Sequence, residues 1–239
     1  MIELDRSGDV FVLTMNADQN RWNTTFVREI ASALDEVEAS TGPAALVTIS
    51  ANEKFFSNGL DLDWVSAPDE HPEGGDRVVF GDEFMTLMAR LITFPMPTLA
   101  AVNGHAFGAG FMSALCHDVR FMRADRGFIC ANEMELGIKI PTPELALFRH
   151  KLPINVFFET VQLARRWTGP TALAAGIVQE ITDLESLHER ALQRATELAP
   201  LGADRELYGS QKERLYGKNA VINDLDGPAH MLSHAADYH

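Results

Sequence analysis

Cysteine is scarce in this chain: Cys116 and Cys130 are the two among 239 residues. They form neither a CxxC pair nor a framework of closely spaced partners, which excludes a disulfide scaffold and leaves free thiols, as in a reducing compartment. Positive charge is also short, with 20 Lys and Arg against 34 Asp and Glu and a formal net charge of −14. Such a chain repels polyphosphate, so nucleic acid is excluded as a partner, and an anionic ligand would have to be met by local cations or backbone N–H groups. Long apolar runs are missing too. The longest weakly polar stretch, Ala106 to Cys116, contains two glycines and falls well short of the roughly 20 residues that cross a bilayer. The opening residues, MIELDRSGDVFVLTM, read as strand and not as a secretion leader. With the free thiols, this points to a cytoplasmic setting and to no membrane partner.

Chemistry-bearing signatures are few. There is no Gly-Lys-Ser/Thr phosphate loop and no G-x-S-x-G elbow. His230 and His234 stand four apart without a carboxylate or thiol at a metal spacing, so no metal site is expected.

What is present is an ordinary globular composition, 46% hydrophobic and 23% charged. Ile2 to Leu4 and Val10 to Met15 flank a Ser7-Gly8-Asp9 turn, as in a hairpin. Phe26, Val27, Ile30, Leu34 and Val37 recur at helical spacing until Gly42-Pro43, and Ala45 to Ile49 reads as a buried strand. Ser66 to Asp76, rich in Pro, Gly and acid, predicts a surface loop, a candidate lid. Phe80, Phe84, Leu87, Met88 and Leu91 mark a second helix that Pro95 and Pro97 end, before a buried strand over Thr98 to Val102. A buried helix from Gly110 to Cys116 and short strands at Val119 to Met122 and Phe128 to Cys130 follow. From Ile154 the pattern is helical, broken at Thr168-Gly169-Pro170, with Leu184, Leu187, Ala191, Leu192, Ala195 and Leu198 on one face. The order predicts a mixed α/β core over residues 1–200 and a separate helical tail over 201–239.

Two glycine turns stand at strand-to-helix passages, the setting in which backbone N–H groups face an anion. One is Lys54-Phe55-Phe56-Ser57-Asn58-Gly59-Leu60-Asp61-Leu62; the other ends the run from Pro97 through Asn103-Gly104-His105-Ala106-Phe107-Gly108-Ala109-Gly110. In order, they resemble the F-x-x-G-x-D and P-x-x-A-x-x-N-G-x-x-x-G-x-G signatures of the crotonase (enoyl-CoA hydratase/isomerase) superfamily. Asn132-Glu133-Met134-Glu135-Leu136-Gly137-Ile138 is similar to that family's E-x-x-L-G-I, and the segment from Thr168 to Val178 extends the likeness. The tail from Leu207 to Glu213 looks most like the Δ3,Δ2-enoyl-CoA isomerase branch.

The resemblance implies a crotonase-type spiral of ββα units with a helical C-terminal region, assembled as a homotrimer or hexamer. It also implies an acyl-CoA substrate whose thioester oxygen sits between the backbone N–H groups of Leu60 and Ala109. No cofactor is implied, CoA being part of the substrate. Lys54 resembles a basic position that touches the nucleotide end of CoA, and Phe107, Phe111 and Met112 would line the acyl site and raise the proton affinity of Glu133. Asp61 would accept backbone N–H groups beside the first turn.

Two glutamates serve a hydratase of this family; here Met112 stands at one of those positions and Glu133 at the other. One carboxylate suffices to move a proton from C2 to C4 of a 3-enoyl thioester, so isomerisation is the expected reaction. Glu135 is an alternative base: in an extended segment it would share the direction of Glu133, in a helical one it would not. Hydration with a substituted acid, and acyl-CoA binding without turnover, are the rival readings.

Overall fold

Alternation along the strands gives the central sheet two buried faces. The computed structural model describes residues 1–67, 74–217 and 227–238. β1 (Ile2–Ser7) and β2 (Val10–Met15) form the expected antiparallel hairpin, and β3 (Ala45–Ser50) pairs parallel to β2. Between them runs α1 (Thr24–Glu38), capped by Asn23, which accepts from the Phe26 N–H. Val10 and Val12 of β2, with Ala45 and Val47 of β3, join one apolar cluster, while Phe11, Leu13, Met15 and Leu46 join the other. A period of two, buried on both sides, is the pattern of a covered parallel sheet.

The chain then makes β4 (Phe55–Ser57), α2 (Leu62–Val65) and α3 (Gly74–Ile92), followed by β5 (Thr98–Val102), β6 (His105–Phe107) and α4 (Ala109–Cys116). β7 (Val119–Arg123), β8 (Ile129–Cys130) and the single turn α5 (Glu133–Leu136) come next. The succession of strand, strand and helix is a spiral, and it sorts the strands into two sheets. One has the order β1-β2-β3-β5-β7-β9, where β9 is Glu180–Thr182, and the other has β4-β6-β8. Among the described residues, every pairing between two of these strands except β1 with β2 is parallel.

Helices α6 (Thr142–Lys151), α7 (Ile154–Val161) and α8 (Gly169–Ala174) follow α5, and α9 (Leu184–Leu198) covers one face of the larger sheet with Leu187, Ala191 and Ala195. The expected break at Thr168 is the start of α8, where Thr168 Oγ1 accepts from the Thr171 N–H. The last two helices are α10 (Arg205–Tyr216) and α11 (Pro228–Ser233). They are tied into the body of the protein: Ala229 and Leu232 belong to the main core, and buried Lys212 meets Asp118 at 2.8 Å.

The surface loop expected over 66–76 is corrected at its end, since Gly74–Asp76 already belong to α3; residues 68–73, and with them most of the candidate lid, lie outside the described residues. Among the described residues no helix is long and apolar enough to cross a membrane, and both cysteines are free and buried.

Candidate active site

The small sheet gathers the site. β6 pairs with β4 through Phe55 and His105, and with β8 through Phe107 and Cys130, all in parallel. The three strands therefore end on the same side, where their following residues are Asn58 to Asp61, Gly108 to Ala109, and Asn132 to Glu133. Carboxyl ends of parallel strands are the usual place for a ligand site in open α/β sheets. The first two turns touch: a side chain at Gly59 would meet the Phe107 carbonyl oxygen at 2.9 Å and lie 4.0 Å from the Ala109 nitrogen.

Hydrogen bonding selects one free amide in the first turn. The Asn58 N–H donates to the Gln19 carbonyl, Gly59 to Ser57 Oγ, Asp61 to the Trp22 carbonyl and Leu62 to the Leu60 carbonyl. Leu60 N–H donates to no described residue. Asp61 caps α2, its Oδ1 accepting from Trp64 N–H at 3.3 Å, and holds the turn as expected. In the second turn the Gly108 N–H is fixed to the Cys130 carbonyl at 2.9 Å. Ala109 is the first residue of α4, so its amide has no intrahelical acceptor and carries the positive end of that helix.

Glu133 opens α5, a turn that Gly137 ends in the left-handed region, with φ of +69° and an N–H returned to the Met134 carbonyl. Its Oε1 reaches over the Gly108 backbone, 2.8 Å from where a β-carbon would stand. Its Oε2 is buried with no hydrogen-bond partner among the described residues, and burial raises the carboxyl above its ordinary range. Because the segment is helical, Glu135 takes another direction: it is exposed and pairs with Arg166 at 2.8 Å, which removes it from the alternative-base role.

Leu60, Ala109 and Glu133 share a cavity of about 470 Å³, within the size range of small-molecule sites. Its apolar wall comes from Leu60 and Leu62, from Phe80, Phe84 and Met85 of α3, and from Leu136 and Ile138. Phe107, Phe111 and Met112 are not brought to it. α4 enters the core directly after Ala109, so Phe111 and Met112 are fully buried, Phe111 packing on Phe148 at 5.4 Å, while Phe107 stacks on His105. Lys54 also lies off the cavity, its Nζ over the Phe55 ring. The cations that do line it are Arg21, engaged by Asp63 at 2.9 Å, and exposed Lys139, which makes no ion pair with a described residue.

The expectation of one remaining carboxylate is overturned. Glu144, at the start of α6, lines the same cavity and is 7% exposed. Burial, with the charge of Glu133 in addition, pushes its carboxyl up to about 8. Its sequence signal was weak, because an acidic residue in the first turn of a helix is what the helix dipole alone would favour.

Residues 5–213 match the model of the enoyl-CoA hydratase/isomerase family. The peroxisomal enoyl-CoA delta isomerase 2 of Arabidopsis thaliana is 32% identical over 231 residues, 95% of this chain and 96% of the relative. Enoyl-CoA delta isomerase 3 of the same plant is 30% identical over 94% of this chain and 96% of its own length. Among solved structures, the apo Mtb enoyl-CoA isomerase superposes with a TM-score of 0.82 at 25% identity, covering 99% of this chain and 98% of that one. The two turns, the glutamate between them and the spiral that brings them together place this chain in the enoyl-CoA hydratase/isomerase family, as an enzyme of that family.

Proposed function

We propose that the protein is a Δ3,Δ2-enoyl-CoA isomerase. The thioester oxygen of a 3-enoyl-CoA accepts from the N–H groups of Leu60 and Ala109, and the Glu133 carboxylate removes a proton from C2. Enolisation moves negative charge onto the oxygen, where one pre-aimed donor is worth roughly 10²–10³ in rate. Protonation at C4 then leaves the conjugated trans-2 thioester. The observation that carries the reading is the position of Glu133 Oε1 against Gly108, beside the free amide of Ala109. The apolar wall supports it too, since a carboxyl kept from water is a stronger base toward carbon. The chemistry needs no cofactor beyond the CoA of the substrate.

The test is the appearance of conjugated-thioester absorbance when purified protein meets a 3-enoyl-CoA; no conversion at any chain length would overturn the reading. A hydratase reading draws on the second carboxyl of the cavity, and loss of that absorbance from a trans-2-enoyl-CoA would favour it. Homotrimeric or hexameric assembly belongs to the same proposal, supported by the exposed apolar residues Ile154, Phe158 and Leu163. A monomer by light scattering would remove it. The cytoplasmic setting is part of the same proposal and rests on the free thiols; the isomerase 2 relative is peroxisomal by name.

A further inference from the structure

Glu144 is a buried carboxyl group without a partner among the described residues. It is the third residue of α6, it lines the cavity that holds Glu133, and it makes no hydrogen bond or ion pair with a described residue. The other charged side chains of the cavity do not neutralise it: Arg21 is taken by Asp63, Lys139 is exposed and does not pair with it, and Glu133 repels it. A group so placed carries its proton at neutral pH, when Glu133 is the readier of the two to ionise. Packing alone would be served better by an apolar side chain, because a carboxyl carried into a largely apolar wall opposes folding.

Building on the isomerase reading, we propose that Glu144 is the acid that protonates C4 of the dienolate, so that the double bond moves through two carboxyl groups and not one. Glu133 takes the C2 proton, and the electron pair of the broken C–H bond enters the dienolate. The π pair of C3=C4 then takes the Glu144 proton at C4, and the C2=C3 bond forms. The cycle leaves Glu133 protonated and Glu144 ionised; Glu133 gives its proton to water and Glu144 takes one from water, which resets the pair. The coupling runs in the useful direction. While Glu133 is charged its field keeps the proton on Glu144; once Glu133 is neutral that restraint is gone, at the step where the proton is needed.

A 3-enoyl-CoA deuterated at C2, turned over in light water, tests this. One carboxyl serving both carbons carries part of the label to C4. Two carboxyls leave C4 of the wild-type product essentially unlabelled, and Glu144→Gln then slows kcat at least tenfold and makes label appear at C4. Glu144→Asp, which keeps an acid, should keep C4 unlabelled. Substantial label at C4 of the wild-type product overturns the proposal without any variant. So does a folded Glu144→Gln protein with unchanged kcat and labelling, or one that is slowed with C4 still unlabelled. Hydration of a trans-2-enoyl-CoA that Glu144→Gln abolishes while isomerisation persists would overturn it as well. Failure of the isomerase reading is a different result, namely no product from the wild type.

Discussion

Gly108→Ala perturbs the site at its tightest point. Gly108 has φ of +47° and ψ of −118°, which a residue with a β-carbon adopts at a cost of about 1–3 kcal/mol. At about 2–4 °C per kcal/mol for a chain of this size, the strain lowers Tm by roughly 2–12 °C. The new β-carbon would also lie 2.8 Å from Glu133 Oε1, so the carboxyl must retreat by several tenths of an ångström. Since a misplacement of 1 Å can cost about 10²-fold in rate, kcat should fall roughly tenfold to a hundredfold. Gly42→Ala is the control: φ is +80° and nothing lies within 4 Å, so it meets the strain without touching Glu133. Calorimetry and steady-state kinetics with a 3-enoyl-CoA should show both variants less stable and only Gly108→Ala slow. Wild-type kcat in Gly108→Ala, or an equal loss in both, would refute the placement of Glu133.

Three further outcomes are expected. Ala109→Pro removes an N–H at the first position of α4, where the helix needs none, so the fold should persist while kcat falls by roughly 10²–10³; unchanged kcat would show that this amide takes no part. Glu144, raised from 4.5 to about 8, binds its proton in the folded state over a range where the unfolded chain has lost it. Wild-type stability should therefore fall as pH rises through that window, by about 1.4 kcal/mol per unit from this group, and level off above it. Glu144→Gln lacks the slope, so its advantage over wild type should grow by about 3 kcal/mol between pH 5 and 7.5 in urea unfolding; a pH-independent difference would contradict the burial argument. Lys212→Met removes the buried partner of Asp118 but leaves that half-buried carboxylate its bonds from Thr98 and Tyr208, and should cost about 1–3 kcal/mol by the same method.

The sheets were legible because strands buried on both faces read as short continuous apolar runs, as in Val10 to Met15, and because Pro95 and Pro97 mark where α3 must stop. The turns around Gly59 and Gly108 and the register of Glu133 were legible from their motifs, and the cavity holds Leu60, Ala109 and Glu133 together. The acyl wall was not. Phe107, Phe111 and Met112 are near Ala109 in sequence, but α4 runs inward and buries the latter two, whereas Phe80, Phe84 and Met85 read as ordinary core at helical spacing. Glu144 was missed for a related reason: eleven positions beyond Glu133, its direction depends on how α5 and α6 pack, and no local pattern encodes that.

The most direct measurement compares wild type with Glu133→Gln in the conversion of a 3-enoyl-CoA to the trans-2 isomer, with substrate binding followed in parallel. Removing the base should lower kcat by roughly 10²–10⁴ and leave binding nearly unchanged. A Glu133→Gln protein that turns over at the wild-type rate would contradict the account at its centre.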